Sequence, residues 1–180
     1  PGQLEAVERA LAVDPGLPAA ARTWISGYQA RELAMAGDDA GSGRAVETAV
    51  AAAALAAGED PGWGLWSQHA ELAGLADRFI RMRELNLGHY AQALDSYESA
   101  LRNAAGAPWW VVDRRLAVVD ASIGLDDPER ACAEAAAAFE LARRHGLGSR
   151  VSDVLFTRAR FPERWAPLSC VAALDQRLRM

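Results

Sequence analysis

The stretch Leu87-Gly88-His89-Tyr90-Ala91-Gln92-Ala93-Leu94-Asp95-Ser96-Tyr97-Glu98-Ser99-Ala100-Leu101 decides the fold class. Gly88 sits where one helix stops and the next begins, and glycine takes the left-handed backbone of a tight reversal without a steric penalty. Tyr90 follows at the position that packs over such a turn. Ala93, Tyr97 and Ala100 lie at i, i+4 and i+7, so they share one face of the helix that follows. The two alanines let a neighbouring helix approach closely, and Tyr97 fills the space that remains between neighbouring repeats. This pattern predicts antiparallel helix pairs stacked on small residues.

Gly and Pro divide the rest of the chain into blocks of the same kind. Helices are expected over 3–13, 19–36, 44–57, 65–87, 91–104, 108–123, 128–145, 148–159 and 166–178. A polar, glycine-rich loop is expected over 37–43 and a turn over 59–62. Pro128 opens a helix with Asp127 as its N-cap, because the carboxylate accepts from the orphan backbone donors and proline has none to offer. The chain lacks the alternating β-branched runs that strands need. It has alanine runs instead, as in Val50-Ala51-Ala52-Ala53-Ala54-Leu55-Ala56-Ala57, and alanine is the best helix former. The fold class expected is all-α: an α-solenoid of about four antiparallel helix pairs with a C-terminal helix, forming one domain over residues 1–180.

The 87–101 segment resembles the second half of a tetratricopeptide repeat, L-G-x-Y-x-x-A-x-x-x-Y/F-x-x-A-L, with every element present. Leu125-Asp126-Asp127-Pro128-Glu129-Arg130-Ala131, followed by Ala135 and Ala138, repeats the same theme. Val7, Ala10 and Pro15 look like the tail of an earlier repeat. Second helices start near Arg44, Ala91 and Pro128, the last interval being 37 residues, close to the period of about 34 of such repeats. The first half of the family pattern is poor throughout, with Arg81 and Glu84 standing where the family has Gly and Tyr. In this family such departures are common where the first helices line a concave binding groove, and they also occur in diverged scaffolds.

A longer resemblance covers most of the chain. Its landmarks are Trp66, Glu71-Leu72-Ala73-Gly74, Asp113-Arg114-Arg115-Leu116-Ala117, Asp127-Pro128-Glu129-Arg130-Ala131-Cys132, Phe139-Glu140-Leu141-Ala142-Arg143-Arg144-His145-Gly146, Trp165 and Val171-Ala172-Ala173-Leu174-Asp175-Gln176-Arg177-Leu178-Arg179. This order is similar to the C-terminal half of actinobacterial transcription regulators that carry a Cro/repressor-type helix-turn-helix at the N-terminus. The resemblance implies a sensing and dimerising half, cytoplasmic, with the DNA-binding module absent from this chain. The start at Pro1 fits the expectation of a fragment.

Composition narrows the function classes. Of 180 residues, 51% are hydrophobic and 24% charged, and all 19 basic residues are Arg. No apolar run approaches the roughly 18 residues of a membrane span, and no secretion signal is visible. The net charge is −5, but it is uneven. Residues 1–110 hold 8 Arg and 14 acids, a net of −6, whereas residues 142–180 hold 8 Arg and 3 acids, a net of +5. The acidic body argues against nucleic-acid binding through this chain, and the basic end is either a solvated face or a dock for an acidic surface. Cys132 and Cys170 lie in different predicted helices and read as free thiols. His69, His89 and His145 lack metal-ligand spacing, and 37–43 lacks the Lys-Ser/Thr of a phosphate loop. No nucleophile–base set is discernible. The reading is a non-enzyme without cofactor or metal.

Projecting the turn register back from Gly37, Gly88 and Asp126 selects ligand- or peptide-binding candidates on the first helices: Trp24, Gly27 and Arg31, then Arg78, Met82 and Asn86, then Asp113 and Asp120. Arg31 and Arg78 suit a carboxylate through a bidentate fork, and Asn86 suits a peptide amide. Gly27 in mid-helix costs about 1 kcal/mol against Ala, which a close backbone contact, a ligand or a tight helix crossing explains. Trp63, Trp66, Trp109 and Trp110 stand at helix entries, either as core or as groove. The partners expected are a peptide, a small-molecule signal or a protein, with a possible homodimer. The rival expectation is a structural scaffold that dimerises or docks through the basic end, with Trp165 as its interface anchor.

Overall fold

The alanine-rich blocks fold as helices, and the turns between them share one chemistry. The computed structural model describes residues 17–56, 69–102 and 107–179, together with Glu5 and Arg9. Among these residues every regular element is helical: α1 (Ala19–Met35), α2 (Asp39–Leu55), α3 (His69–Asn86), α4 (Tyr90–Arg102), α5 (Pro108–Gly124), α6 (Pro128–Arg144), α7 (Gly148–Ala159), a short 3-10 turn (Glu163–Trp165) and α8 (Ser169–Leu178). The helix expected at 3–13 lies outside the described residues except for Glu5 and Arg9, an exposed ion pair at 3.6 Å. The turn at 59–62 and the indoles of Trp63 and Trp66 also lie outside them.

Gly37, Gly88, Asp126 and Gly146 have φ of 79°, 81°, 59° and 64°. At three of these turns the same two bonds close the preceding helix. Gly37 N–H donates to Ala34 and Asp38 N–H to Leu33; Asp126 donates to Ile123 and Asp127 to Ser122; Gly146 donates to Arg143 and Leu147 to Ala142. The residue after the left-handed one then becomes the N-cap of the next helix. Asp38 accepts from Gly41 N–H at 2.8 Å and Asp127 from Arg130 N–H at 3.0 Å.

That cap corrects one expectation. The loop expected at 37–43 is helical from Asp39 onward. A Cβ on Gly41 would lie 2.2 Å from the Asp38 carboxylate, so the glycine makes room for the cap rather than for loop motion. Arg83 of α3 holds the same helix start: its guanidinium binds the Asp39 carboxylate, and its Nε donates to Ser42 Oγ at 3.0 Å. A second correction concerns the last helix, which starts at Ser169 instead of 166. The chain first makes the 3-10 turn, and the extended backbone of Leu168, φ −75° and ψ 139°, separates that turn from the helix.

The chain divides into two compact units, 1–87 and 88–180. In the first unit α1, α2 and α3 pack against one another. Ala20, Ala49, Ala56 and Phe79 form one buried cluster, and Ala30, Ala45 and Val46 another. Phe79 is the one large, fully buried side chain among the described residues of this unit. Its ring lies against Gly27, where an added Cβ would sit 2.1 Å from the ring carbons. Close approach between α1 and α3 therefore accounts for the mid-helix glycine.

In the second unit α4 packs on α5, α5 on α6 and α6 on α7, and alternate helices also meet, α5 with α7 and α6 with α8. This is a helical-repeat-like arrangement with a 38-residue recurrence. Gly88, Ala93, Tyr97 and Ala100 correspond to Asp126, Ala131, Ala135 and Ala138. Ala93, Tyr97, Ala131, Ala135 and Ala138 are buried. Tyr90 packs near its own turn, 3.9 Å from a Cβ on Gly88, and presses on Gly124 at the end of α5, where a Cβ would meet the ring at 2.3 Å.

Two glycine substitutions are expected to have opposite signs. Gly27→Ala forces the buried Phe79 ring to move and should destabilise the first unit by about 1–3 kcal/mol. Gly43→Ala, in α2 with only Arg83 Nη2 at 3.9 Å, should stabilise it by up to about 1 kcal/mol. Urea unfolding followed by circular dichroism measures both, and equal signs would contradict the Phe79 contact.

Candidate functional site

The aromatic face of the first unit gathers four of the eight predicted binding residues, Trp24, Gly27, Arg31 and Met82. Trp24 and Tyr28 lie one turn apart on α1 and stack at 5.9 Å with 23° between their planes. Phe79 of α3 meets both edge-on, at 5.9 Å from Trp24 and 6.0 Å from Tyr28. Arg31 lies over the Tyr28 ring at 5.2 Å, within cation–π range. Met82 packs beside Trp24 in the same cluster. Phe79 is buried, Trp24 is half-buried and Tyr28 is 36% exposed, so the cluster runs from the core to the surface. An arrangement with a dry aromatic floor and a cation at its rim accommodates an aromatic or carboxylate-bearing group.

The polar candidates behave differently. Arg31 does grip a carboxylate through two nitrogens, but the carboxylate is that of neighbouring Glu32, with Nε at 2.9 Å. Any anionic ligand there has to displace Glu32. Asn86 does not reach outward as expected: its Nδ2 donates to the Met82 carbonyl one turn back, at 2.6 Å. Arg78 is half-buried on α3. Tyr28 was missed in the sequence, although its spacing from Trp24 and Arg31 puts all three on one face of α1. Arg83 was also missed, since nothing local marks a partner 44 residues away in sequence.

Asp113 and Asp120 belong to the second unit, away from the other six candidates in the chain's division, and both are engaged. Asp113 pairs with Arg150 at 3.1 Å and Asp120 with Arg160 at 3.0 Å. Arg150 also lies 5.9 Å over Trp109, which stacks with Trp110. These pairs belong to a larger set. Arg164 binds Asp126 at 2.8 Å, Arg177 binds Glu140 at 3.4 Å and Arg158 binds Asp175 at 2.7 Å. Four of these five arginines pair with acids in 111–141, which holds 3 Arg and 7 acids, a net of −4. The basic C-terminal stretch is thus largely neutralised inside its own unit. Trp165 is not an exposed anchor. It is 3% exposed, packs in the core with Phe161, Val171 and Leu174, and donates through Nε1 to Asp126 at 2.8 Å.

Asp120 and Asp126 titrate in opposite directions. Burial raises Asp120 against the opposing pull of Arg160. Hydrogen bonds from Arg164 and then Trp165 hold Asp126 below the usual carboxylate range.

Among the described residues no group of three or more His, Cys, Asp or Glu converges on a metal site, and no helix is long and apolar enough to cross a membrane. Comparison with known proteins gives no matching family model, no similar curated protein and no similar solved structure.

The two aspartates are expected to shape acid stability with opposite signs. Asp126, lowered in the fold, adds stability that is complete above the ordinary carboxylate pKa and is lost as pH falls through its lowered value. Asp120, raised in the fold, makes the unit gain stability on protonation as pH falls through its raised value. Melting curves of Asp126→Asn should therefore fall less steeply than wild type as pH drops below the ordinary carboxylate value. Asp120→Asn should lose the gain on acidification and cost little at neutral pH. Parallel curves for all three proteins would contradict the assignment.

Proposed function

We propose that this chain is the sensing and protein-interaction domain of a cytoplasmic transcription regulator, built as a tetratricopeptide-like solenoid. The 38-residue recurrence of turn and alanine positions supports the solenoid, and the long-range similarity to helix-turn-helix regulators supports the context. The observation that carries the binding reading is the Trp24–Tyr28–Phe79 cluster with Arg31 at its rim. It favours a peptide segment that presents an aromatic side chain and a carboxylate, gripped by rings that lose little entropy on binding. The work of this domain on that reading is recognition, not catalysis.

A second reading, a dimerising or docking scaffold, has its own support. With Trp165 in the core, the exposed large apolar side chains among the described residues of the second unit are Phe156 and Leu155 of α7, 69% and 46% exposed, and Leu125. Light scattering tests it: a stable dimer that dissociates in Phe156→Glu favours the scaffold.

Isothermal titration with short aromatic peptides bearing a free carboxylate tests the binding reading. Tyr28→Ala should weaken a bound peptide about tenfold, the worth of one aromatic contact and its cation–π partner, with the helical circular dichroism unchanged. Absence of any binding, together with unchanged reporter output on Arg31→Ala and Arg78→Ala in the full regulator, removes the proposal.

A further inference from the structure

Cys132 on α6 and Cys170 on α8 stand 38 residues apart, the same interval that separates Asp126 from its partner Arg164. Both lie in the first turns of their helices, and α6 and α8 pack together. Cys132 is buried in the cluster of Val119, Ala135, Trp165, Val171 and Leu174, and Cys170 packs against that same cluster from its rim, half-buried. Both are free, and their thiols hydrogen-bond each other. Burial and this bond push the Cys132 thiol up to about 12, so Cys132 keeps its proton and donates it to the Cys170 sulfur. The bidentate Arg158–Asp175 pair joins α7 to α8 close by.

We propose that Cys132 and Cys170 are a reversible oxidation site, closed to a disulfide by a small peroxide, which fastens the C-terminal helix α8 to α6. The asymmetry of the pair assigns the roles. Cys170, which solvent reaches, is the sulfur that meets the oxidant, and buried Cys132 is the resolving thiol. Cys170 gives up its proton, and its thiolate attacks one oxygen of hydrogen peroxide. The O–O bond breaks, Cys170 becomes a sulfenic acid, and the departing hydroxide takes a proton as water. The Cys132 sulfur then attacks the Cys170 sulfur. The S–O bond breaks, the S–S bond forms, and the second hydroxide leaves as water with the Cys132 proton. Two thiols and one peroxide give one disulfide and two waters, with two electrons passing from sulfur to oxygen. A dithiol reductant returns both thiols by exchange. The bridge would close a loop that contains α7, the Glu163–Trp165 turn and the start of α8, the elements that carry Phe156 and the Asp126 contacts.

The test treats the whole chain with hydrogen peroxide at neutral pH. The expected product is a monomer lighter by about 2 Da, with the Cys132 and Cys170 peptides joined, reverting with dithiothreitol. Its melting temperature should rise on the order of 5 °C. Cys132→Ser should stop at sulfenic or sulfinic acid on Cys170, and Cys170→Ser should leave Cys132 unreacted. A wild-type chain that gains about 32 Da at Cys170 without the lighter species, that links only between chains, or that keeps both thiols, overturns the proposal.

Discussion

Close approach of helices through alanine is the constraint on which both units depend. Alanines 20, 30, 45, 49 and 56 in the first unit and 93, 131, 135, 138 and 142 in the second are buried at contacts between helices. A methyl side chain brings helix axes near the lower end of the usual 8–10 Å range, but it buries little apolar area and specifies little. Register therefore has to come from larger pieces seated on glycine. Phe79 on Gly27 sets α3 against α1, and Tyr90 on Gly124 sets α4 against α5. In both places an aromatic ring occupies the volume that a Cβ would take.

Charge supplies the second register. The second unit is acidic in its middle and basic at its end, and folding lays one on the other. Asp113–Arg150, Asp120–Arg160, Asp126–Arg164 and Glu140–Arg177 join residues 37 to 40 apart in sequence. Partly exposed pairs of this kind contribute about 0–1 kcal/mol each, so their main effect is to select one alignment of successive helices. Asp126 does more than pair. It takes the left-handed backbone that Gly has at the other turns, and its carboxylate accepts from Arg164 and from the buried Trp165 indole. The strain of a non-glycine residue there is held by the contacts that its side chain makes.

The two candidate functional features follow from these registers. In the first unit, the ring that fills the Gly27 gap also floors the Trp24–Tyr28 surface, so one residue serves both the core and the candidate surface. In the second, the same 38-residue offset that aligns the ion pairs brings the two thiols together beside Trp165.

Much of this architecture was legible in the sequence. Helix count and order over the described residues, the left-handed turns at Gly37, Gly88 and Asp126, and the Asp127 cap follow from local rules, because capping, glycine and proline act over a few residues. The loop expected at 37–43 failed for a local reason that competes with another: glycine content marked a loop, while the Asp38 carboxylate made it a helix start. The sites were legible only in part. Trp24 and Gly27 share one face of α1 by helical periodicity, and the packing of α3 on α1 brings Met82 to the same cluster. Arg31 and Asn86 are held by partners one and four residues away on their own helices, whereas Asp113, Asp120 and Trp165 are held by partners 37 to 40 residues away that periodicity does not name. Residue types and their spacing determined the helices and the repeat by themselves. Tertiary structure alone decided which charges were neutralised, which tryptophan was buried and which cysteines met, because those depend on distances between segments tens of residues apart.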